Sequence, residues 1–360
     1  GAVLDRKRYG EIILEEAERL GAAIHYDTVV QDVVQDDDGT VTGVTGKRKG
    51  QSVAYDAEIV VDAAGALSIL QDKGEFGNSY FDTNVRYSQF CSAYREVIEV
   101  DEPVDWDDAL VFKPTKELGY LWYFPRSPTR INVGVGFQMD QPEMRMISAI
   151  EEDVESRPEL VNPTVVDKLG AAVPTRRPYD SAVADGYIAV GDAAGHVNPT
   201  TGGGIPGAAK SAHWATKRAI AAIGEGDVSE AALWEYNRDV MTDFGKHFAA
   251  IDCYNIWGTA HDVDELTEIV SSVPAQHLAD AMAGKNTGPM PLSLKLRTIK
   301  DTYGHWEKLM QLVKVRGKAG DLANHYDRYP ATPEGFPAWQ SVRDGIMNEI
   351  YEISGAEPKY

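Results

Sequence analysis

The segment from Tyr187 to Ala209 constrains the fold of this chain more than any other stretch of its sequence. A short apolar run ends in Gly191-Asp192, a loop of small residues follows, and three consecutive glycines open an alanine-rich stretch. This order predicts a buried strand, a loop and the N-terminus of a helix. In open α/β sheets, ligands bind outside the carboxyl ends of the strands, where such loops lead into helices. The segment therefore predicts an α/β fold with a ligand site at this loop.

The acidic side chain and the glycines of this loop favour one class of ligand. A carboxylate at Asp192 accepts hydrogen bonds from the hydroxyl groups of a polyol, and glycines let a flat ring approach the backbone. Gly204 and Ile205 begin the predicted helix, so their amides present partial positive charge to the edge of such a ring. Pro206 suits the first turn because it has no amide hydrogen to leave unpaired. The pattern indicates the ribityl and ring end of a flavin site; a strand–loop–helix connection without a ligand is the alternative.

Residues 202–207 also match the G-x-G-x-x-G pattern, but their position is wrong for a dinucleotide fingerprint. The first glycine of that fingerprint lies at the end of its strand, and an acidic residue follows about 20 residues on. Here eleven residues separate Val190 from Gly202, and a helical pattern follows. We therefore do not predict a pyrophosphate-binding loop at this position.

The rest of the chain predicts a nucleotide-binding domain in two parts, separated by a β-rich domain. Helical periodicity covers 8–20, strand patterns cover 22–26, 28–35, 40–47, 52–56 and 59–61, and Asp38-Gly39 predicts a hairpin turn. Residues from about 80 to 180 are rich in strand patterns, and the chain beyond Ser229 is mostly helical. The predicted division is a first part at 1–80, a substrate domain at 81–179, a second part at 180–226 and a helical region at 227–360.

An aromatic strand pattern at 119–125 is the second strong signal. Alternation along a strand places Tyr120, Trp122 and Phe124 on one face. The following stretch at 131–136 predicts a partner strand whose glycines leave room beside the aromatic rings. Two interpretations stay open, an aromatic-walled slot for a long hydrocarbon and an ordinary sheet core.

The net charge of the chain argues against nucleic acid as a partner. It holds 35 Lys and Arg against 56 Asp and Glu, a net charge of −21. Such a field repels nucleic acid, and surface carboxylates favour solubility at high salt. We interpret the composition as that of a protein from a high-salt cytoplasm; an ordinary acidic enzyme is the alternative. Two cysteines and eight scattered histidines predict no metal site, and no apolar run reaches the length of a membrane span.

One segment reverses this charge. Residues 285–318 carry eight Lys or Arg against two acidic residues, and apolar residues recur there at helical spacing. A basic amphipathic helix can rest on an anionic membrane surface, which would make the protein peripheral at the inner membrane face. A core-facing helix with a solvated basic side is the alternative.

Together these motifs resemble the geranylgeranyl reductase family, a branch of the para-hydroxybenzoate hydroxylase-like flavoproteins, and the acidic composition is similar to that of haloarchaeal members. The resemblance extends from residue 5 to about 220. The residues that carry it are Asp5-Arg6, Val30, Tyr120-x-Trp122-x-Phe124-Pro125, Val133-Gly134, Gly191-Asp192-Ala193-Ala194-Gly195 and Gly204-Ile205.

The resemblance implies a Rossmann-like FAD-binding domain split around an antiparallel substrate domain. By the resemblance, FAD would contact Arg6, Val30, Gly191, Asp192, Gly204 and Ile205, and an isoprenoid channel would be lined by Tyr120, Trp122, Phe124 and Pro125. The implied reaction saturates carbon–carbon double bonds of a prenylated lipid or quinone, with NAD(P)H or ferredoxin as electron donor. No catalytic residue is assigned, and we expect a structural role for His196.

Two departures from the family pattern are visible. The N-terminal strand with its glycine fingerprint is absent, so we expect a chain that lacks an N-terminal segment. Ala64 stands before Gly65 where related flavoproteins carry Asp, which leaves the role of that loop open. The alternative functions are a flavin-dependent monooxygenase of the same fold and a non-catalytic isoprenoid-binding fragment.

Overall fold

The computed structural model describes residues 3–115, 117–139, 145–271 and 306–360, and it contains both helices and strands. The strands are β1 (Thr28–Gln35), β2 (Val41–Arg48), β3 (Gln51–Asp56), β4 (Val60–Asp62), β5 (Phe90–Glu99), β6 (Val111–Pro114), β7 (Gly119–Ser127), β8 (Arg130–Gln138), β9 (Thr164–Pro174), β10 (Val183–Ala184) and β11 (Tyr187–Ala189). The helices are α1 (Arg6–Arg19), α2 (Ile69–Lys73), α3 (Met146–Glu155), α4 (Ile205–Glu225), α5 (Glu230–Leu233), α6 (Glu235–Val240), α7 (Lys246–Thr259), α8 (Val263–Ser271), α9 (Trp306–Tyr326) and α10 (Phe336–Ser354).

The chain forms two compact units. The first unit comprises Gly1–Gln31, Thr45–Val53 and Cys91–Ala172, and the second comprises Asp32–Val44, Ala54–Phe90 and Val173–Tyr360. The strands β1, β2 and β3 form a three-stranded sheet in that order.

A five-stranded sheet with the order β6-β7-β8-β5-β9 dominates the first unit. The central pairs β6–β7, β7–β8 and β8–β5 are antiparallel, and Trp122 lies opposite Gly134 in the β7–β8 register. Leu121 and Tyr123 of β7 alternate onto a buried face, where they pack in one apolar cluster with Ile150 of α3. This packing covers one face of the sheet and leaves the other face to the even-numbered residues of β7.

The second unit contains two parallel strands, β4 and β11, that position the loop at 191–204. We call this segment the glycine loop. The small sheet of this unit has the order β10-β11-β4, and β4 runs parallel to β11 with Val61 opposite Ile188. Because parallel strands end at the same sheet edge, Asp62 and Val190 are neighbours, and the Val190 amide donates to the Asp62 carbonyl over 2.9 Å. The largest apolar cluster of the described residues surrounds this sheet and extends through the C-terminal helices.

Most of the predicted elements are present within one or two residues of their expected bounds. The first helix begins at Arg6 because the Asp5 carboxylate accepts from the Arg8 amide over 3.1 Å. The strand predicted at 22–26 is wrong. The Ala22 amide instead donates back to the Ala17 carbonyl, and no described strand pairs with 22–26. β-propensity alone does not make a strand without a neighbour to accept its hydrogen bonds.

The basic segment at 285–318 lies mostly outside the described residues, which resume at 306 with α9. Among the helices that are described, none combines the length and the apolar character that crossing a bilayer requires. The described residues also contain no group of three His, Cys, Asp or Glu side chains placed to hold a metal ion.

Candidate functional site

The chain after β11 turns sharply at the Gly191-Asp192 motif. Gly191 has φ 59° and Gly195 has φ 67°, a left-handed conformation that side chains rarely adopt, and a single 3₁₀ turn spans Gly191–Ala194. The Ser211 hydroxyl of α4 accepts from the Gly191 amide over 3.1 Å. The turn is therefore held both by its own glycines and by the helix that follows.

Asp192 and Gly204 lie side by side at the start of α4. A Cβ atom added to Gly204 would lie 2.9 Å from Asp192 Oδ1 and 3.3 Å from Val197 Cγ2. Gly204 is the residue before α4, and Ile205, the first residue of the helix, is 37% exposed. A carboxylate thus borders bare backbone at the positive end of a helix, an arrangement suited to a ligand with hydroxyl groups and an electron-rich ring edge.

The loop packs closely on α4 through Gly207 and His196. A Cβ atom on Gly207 would overlap the His196 carbonyl oxygen. The His196 side chain is fully buried, with its ring centroid 5.3 Å from that of Phe244. Its two ring nitrogens have no hydrogen-bond partner in the described part of the protein, and burial lowers the pKa of His196 to about 3. The imidazole is neutral at physiological pH, so it does not serve there as a cationic proton donor.

Asp62 ties the loop after β4 to the loop after β11. Its carboxylate is buried and accepts from the Tyr187 hydroxyl over 2.5 Å and from the Ala64 amide over 2.9 Å. Gln71 donates to Asp62 over 3.3 Å and to the Ala193 carbonyl over 2.6 Å. Burial and the adjacent carboxylate raise the pKa of Tyr187 well above its usual range. This role of Asp62 was not predicted from the sequence; an acidic residue at the end of a buried strand is the signal for it.

The three predicted aromatic residues share one face of the five-stranded sheet. Tyr120, Trp122 and Phe124 are half-buried, whereas the apolar core of that sheet lies on the opposite face. Ring centroids are 6.0 Å apart for Tyr120 and Trp122 and 6.1 Å for Trp122 and Phe124. Phe112 of β6 joins them at 5.6 Å from Tyr120 and 5.4 Å from Phe124. We call these four residues the aromatic face. Phe112 was not predicted to belong to it because the four-residue strand β6 is too short to show a clear alternation.

Two glycines of β8, Gly134 and Gly136, leave room for the Trp122 indole, as the sequence pattern predicts. A Cβ atom on Gly134 would overlap the Trp122 ring, and one on Gly136 would lie 3.8 Å from it. The Trp122 ring nitrogen donates to Asn132 Oδ1 over 3.3 Å. Pro125, by contrast, is buried opposite Ile131 on the core side of β7. Alternation therefore separates Pro125 from the aromatic residues with which the sequence motif groups it.

Arg6 and Val30 belong to the first unit, whereas Gly191, Asp192, Gly204 and Ile205 belong to the second. Arg6 is exposed, with its guanidinium 5.3 Å from the centroid of the Tyr9 ring. Val30 lies on β1 and is 37% exposed. Within the second unit, the structure brings together the four loop residues that the motif predicts.

A sequence model of the tryptophan halogenase family matches residues 3–252. The chain belongs to this family. A curated relative in Sulfolobus acidocaldarius, named digeranylgeranylglycerophospholipid reductase, is 26% identical over 97% of this chain and 78% of its own length. The resemblance to geranylgeranyl reductases is confirmed by this relative.

Solved structures that are similar to this chain confirm its fold. A geranylgeranyl bacteriochlorophyll reductase-like protein from Thermoplasma acidophilum superposes with a TM-score of 0.69 at 20% identity, over 87% of this chain and 75% of that one. The myxobacterial chondrochloren halogenase, described as a variant of FAD-dependent halogenases, gives a TM-score of 0.56 at 18% identity over 96% and 75%. The predicted α/β flavoprotein fold is therefore confirmed.

Proposed function

We propose that this chain is an FAD-dependent oxidoreductase that saturates carbon–carbon double bonds of a prenyl chain. The observation that carries the proposal is the Asp192 carboxylate beside the bare Gly204 backbone, at the carboxyl end of a parallel strand and the N-terminus of α4. The printed name of the Sulfolobus relative supports a geranylgeranyl-type substrate.

The residues of the glycine loop fit the flavin half of FAD. Asp192 would accept from ribityl hydroxyl groups, and the backbone of Gly191 would follow the same part of the ligand. Gly204 and Ile205 would direct their amides, at the positive end of α4, toward the edge of the ring that gains negative charge on reduction. Arg6 and the Val30 backbone are proposed to contact the phosphate and adenine parts.

The aromatic face offers an apolar wall for the prenyl substrate. When FAD is bound, it supplies the hydride for the double bond. An isolated alkene accepts hydride poorly, so protonation early in the reaction would leave cationic character on carbon. The ring faces of Tyr120 and Trp122 would stabilise that charge and exclude water. Because His196 is neutral and buried, we do not assign it as the proton donor.

The finer assignments are also proposals. The substrate is a prenylated archaeal-type membrane lipid or an isoprenoid quinone, and the electron donor is NAD(P)H or ferredoxin. We further propose that the domains of the chain end at residues 80, 179 and 226. We also propose that the protein works in a high-salt cytoplasm, as its charge indicates, and that residues 285–318 contact a membrane surface.

The test uses the purified chain reduced with dithionite under anaerobic conditions. A flavin absorption band and the gain of two hydrogen atoms per reduced double bond, measured by mass spectrometry on a geranylgeranylated lipid, are the expected results. Trp122→Ala should depress this reduction far more than the flavin content, and Asp192→Ala should depress the flavin content itself. Full flavin content with no reduced product would reject the proposal.

Halogenation is a second candidate function, favoured by the family to which the chain belongs. It requires molecular oxygen and a halide, whereas double-bond reduction requires neither. Reduced protein supplied with oxygen and bromide would yield brominated product only if this candidate is correct. Substrate-dependent oxygen uptake without bromination would instead indicate a monooxygenase.

A further inference from the structure

A glutamine side chain joins the two loops that follow β4 and β11. Gln71 of α2 donates through Nε2 to the Ala193 carbonyl over 2.6 Å and to the Asp62 carboxylate over 3.3 Å. A primary amide has two N–H hydrogens, one for each of these acceptors. Because a carbonyl and a carboxylate cannot donate, the amide nitrogen must face both of them, and this fixes the orientation of the Gln71 side chain.

The backbone that carries Gln71 is held by local interactions. The Ser68 hydroxyl accepts from the Leu70 amide over 3.2 Å, and the Ser68 carbonyl accepts from the Gln71 amide, also over 3.2 Å. Leu70 is buried in the apolar cluster around the small sheet. The residue before Gln71 therefore anchors α2, and the glutamine extends from a fixed position.

The carboxylate that Gln71 contacts is held as firmly. Asp62 is buried, and it also accepts from the Tyr187 hydroxyl and the Ala64 amide. The centroid of the Tyr187 ring lies 4.9 Å from that of Phe76 and is itself fully buried. Three donors in a packed interior give the Asp62 carboxylate a defined position. It is thus a fixed reference for the amide of Gln71.

The Ala193 carbonyl belongs to the turn that carries Asp192. The carbonyls of Gly191, Asp192 and Ala194 in this turn accept from backbone amides, whereas that of Ala193 accepts from the Gln71 side chain. A turn of four residues is held by few hydrogen bonds, so the loss of one allows the peptide groups beside it to rotate. Asp192 directly precedes Ala193, and such a rotation would move its carboxylate.

We propose that Gln71 is a positioning residue for the flavin site. By holding the Ala193 carbonyl close to Asp62, it keeps the turn in the conformation that brings the Asp192 carboxylate beside Gly204. Gln71 therefore sets the affinity for FAD through Asp192, from a loop that follows a different strand. The inference rests on the proposed FAD site, because Asp192 is the residue proposed to accept from the ribityl hydroxyl groups.

The first test compares FAD binding by two glutamine variants of the purified chain after removal of its flavin. Gln71→Met keeps the length of the side chain and removes both N–H hydrogens. Gln35→Met is the matched control, because Gln35 Nε2 also donates to two acceptors, the carbonyls of Gly39 and Glu75, over 2.7 and 3.1 Å. Both substitutions should lower the free energy of unfolding of the flavin-free chain by similar amounts.

Fluorescence titration should separate the two variants. We expect Gln71→Met to bind FAD about tenfold more weakly than the wild type, and Gln35→Met to bind it with unchanged affinity. Equal FAD affinity in the two variants would overturn the proposal. A wild-type chain that binds no FAD would instead reject the proposed function, and the role of Gln71 with it.

A second variant tests whether hydrogen-bond donation or packing is responsible. The ammonium group of Gln71→Lys can donate to both the Ala193 carbonyl and the Asp62 carboxylate. Its FAD affinity should return to within about threefold of the wild type, because the turn is again held from α2. If Gln71→Lys bound FAD as weakly as Gln71→Met, donation to the turn would not set the affinity, and the proposal would be wrong.

Discussion

Glu230 shows how the burial of one carboxyl group makes stability depend on pH. Burial and the neighbouring Asp185 raise the pKa of Glu230 to about 7, against the donation of the Tyr80 amide to its carboxylate over 2.7 Å. The folded protein therefore retains a proton that the unfolded chain releases near pH 4.5. Stability should fall as the pH rises from about 4.5 to about 7 and then become constant, because in that range the unfolded state binds fewer protons.

The variant Glu230→Gln should remove this pH dependence. It keeps an oxygen that can accept from Tyr80, and it should be more stable than the wild type by ~1 kcal/mol at pH 8, after screening of a half-buried group by solvent. The measurement is the free energy of unfolding in urea between pH 4.5 and 8. Glu155→Gln, on the exposed side of α3, serves as control and should leave the pH profile unchanged. An unaltered profile in Glu230→Gln would contradict the assignment.

Gly204 is the residue at which the proposed flavin site can be tested with one methyl group. An alanine side chain at this position would displace the Asp192 carboxylate, 2.9 Å away, and cover the exposed amides. We expect Gly204→Ala to weaken FAD binding about tenfold or more in a fluorescence titration. Gly224→Ala, on the same helix with open space around it, should bind FAD normally and gain up to about 1 kcal/mol in stability. Equal FAD affinity in both variants would remove Gly204 from the site.

At the scale of elements, the β7–β8 hairpin shows what the sequence can predict. Alternation alone places Tyr120, Trp122 and Phe124 on one face, because the side-chain period of a strand is two. The same alternation places Pro125 on the opposite face of β7, although the sequence motif groups Pro125 with the aromatic residues. The contribution of Phe112 depends on which strand becomes the neighbour of β7, and no local pattern encodes strand order.

The buried ion pairs of the second unit mark the opposite limit of what a sequence reveals. Arg343 and Asp180 are 163 residues apart in sequence, and Arg176 and Asp82 are 94 apart. Each residue taken alone resembles an ordinary surface charge, since Arg and Asp are mostly exposed in proteins. Only the packing of the C-terminal helices reveals that they are buried together. The glycine loop was predictable because its parts are adjacent in sequence.

The contact between Trp122 and Gly134 gives a prediction at this same scale. An alanine at 134 would overlap the indole, so Gly134→Ala should destabilise the protein by about 1–3 kcal/mol. In the Trp122→Ala variant the indole is absent, so Gly134→Ala should there change the free energy of unfolding only slightly. A double-mutant cycle by urea unfolding measures this coupling. Additive costs would show that the strain at 134 comes from the backbone and not from the indole.

At the scale of the whole molecule, the net charge of −21 acts on every element at once. Like charges repel one another more strongly in the compact state, and added salt reduces the range of this repulsion from about 30 Å at 0.01 M to about 3 Å at 1 M. We expect the melting temperature to rise by ~5 °C or more over this range in potassium acetate. Thermal unfolding followed by circular dichroism provides the measurement, and a flat or falling melting temperature in acetate would show that self-repulsion does not limit the stability of this acidic chain.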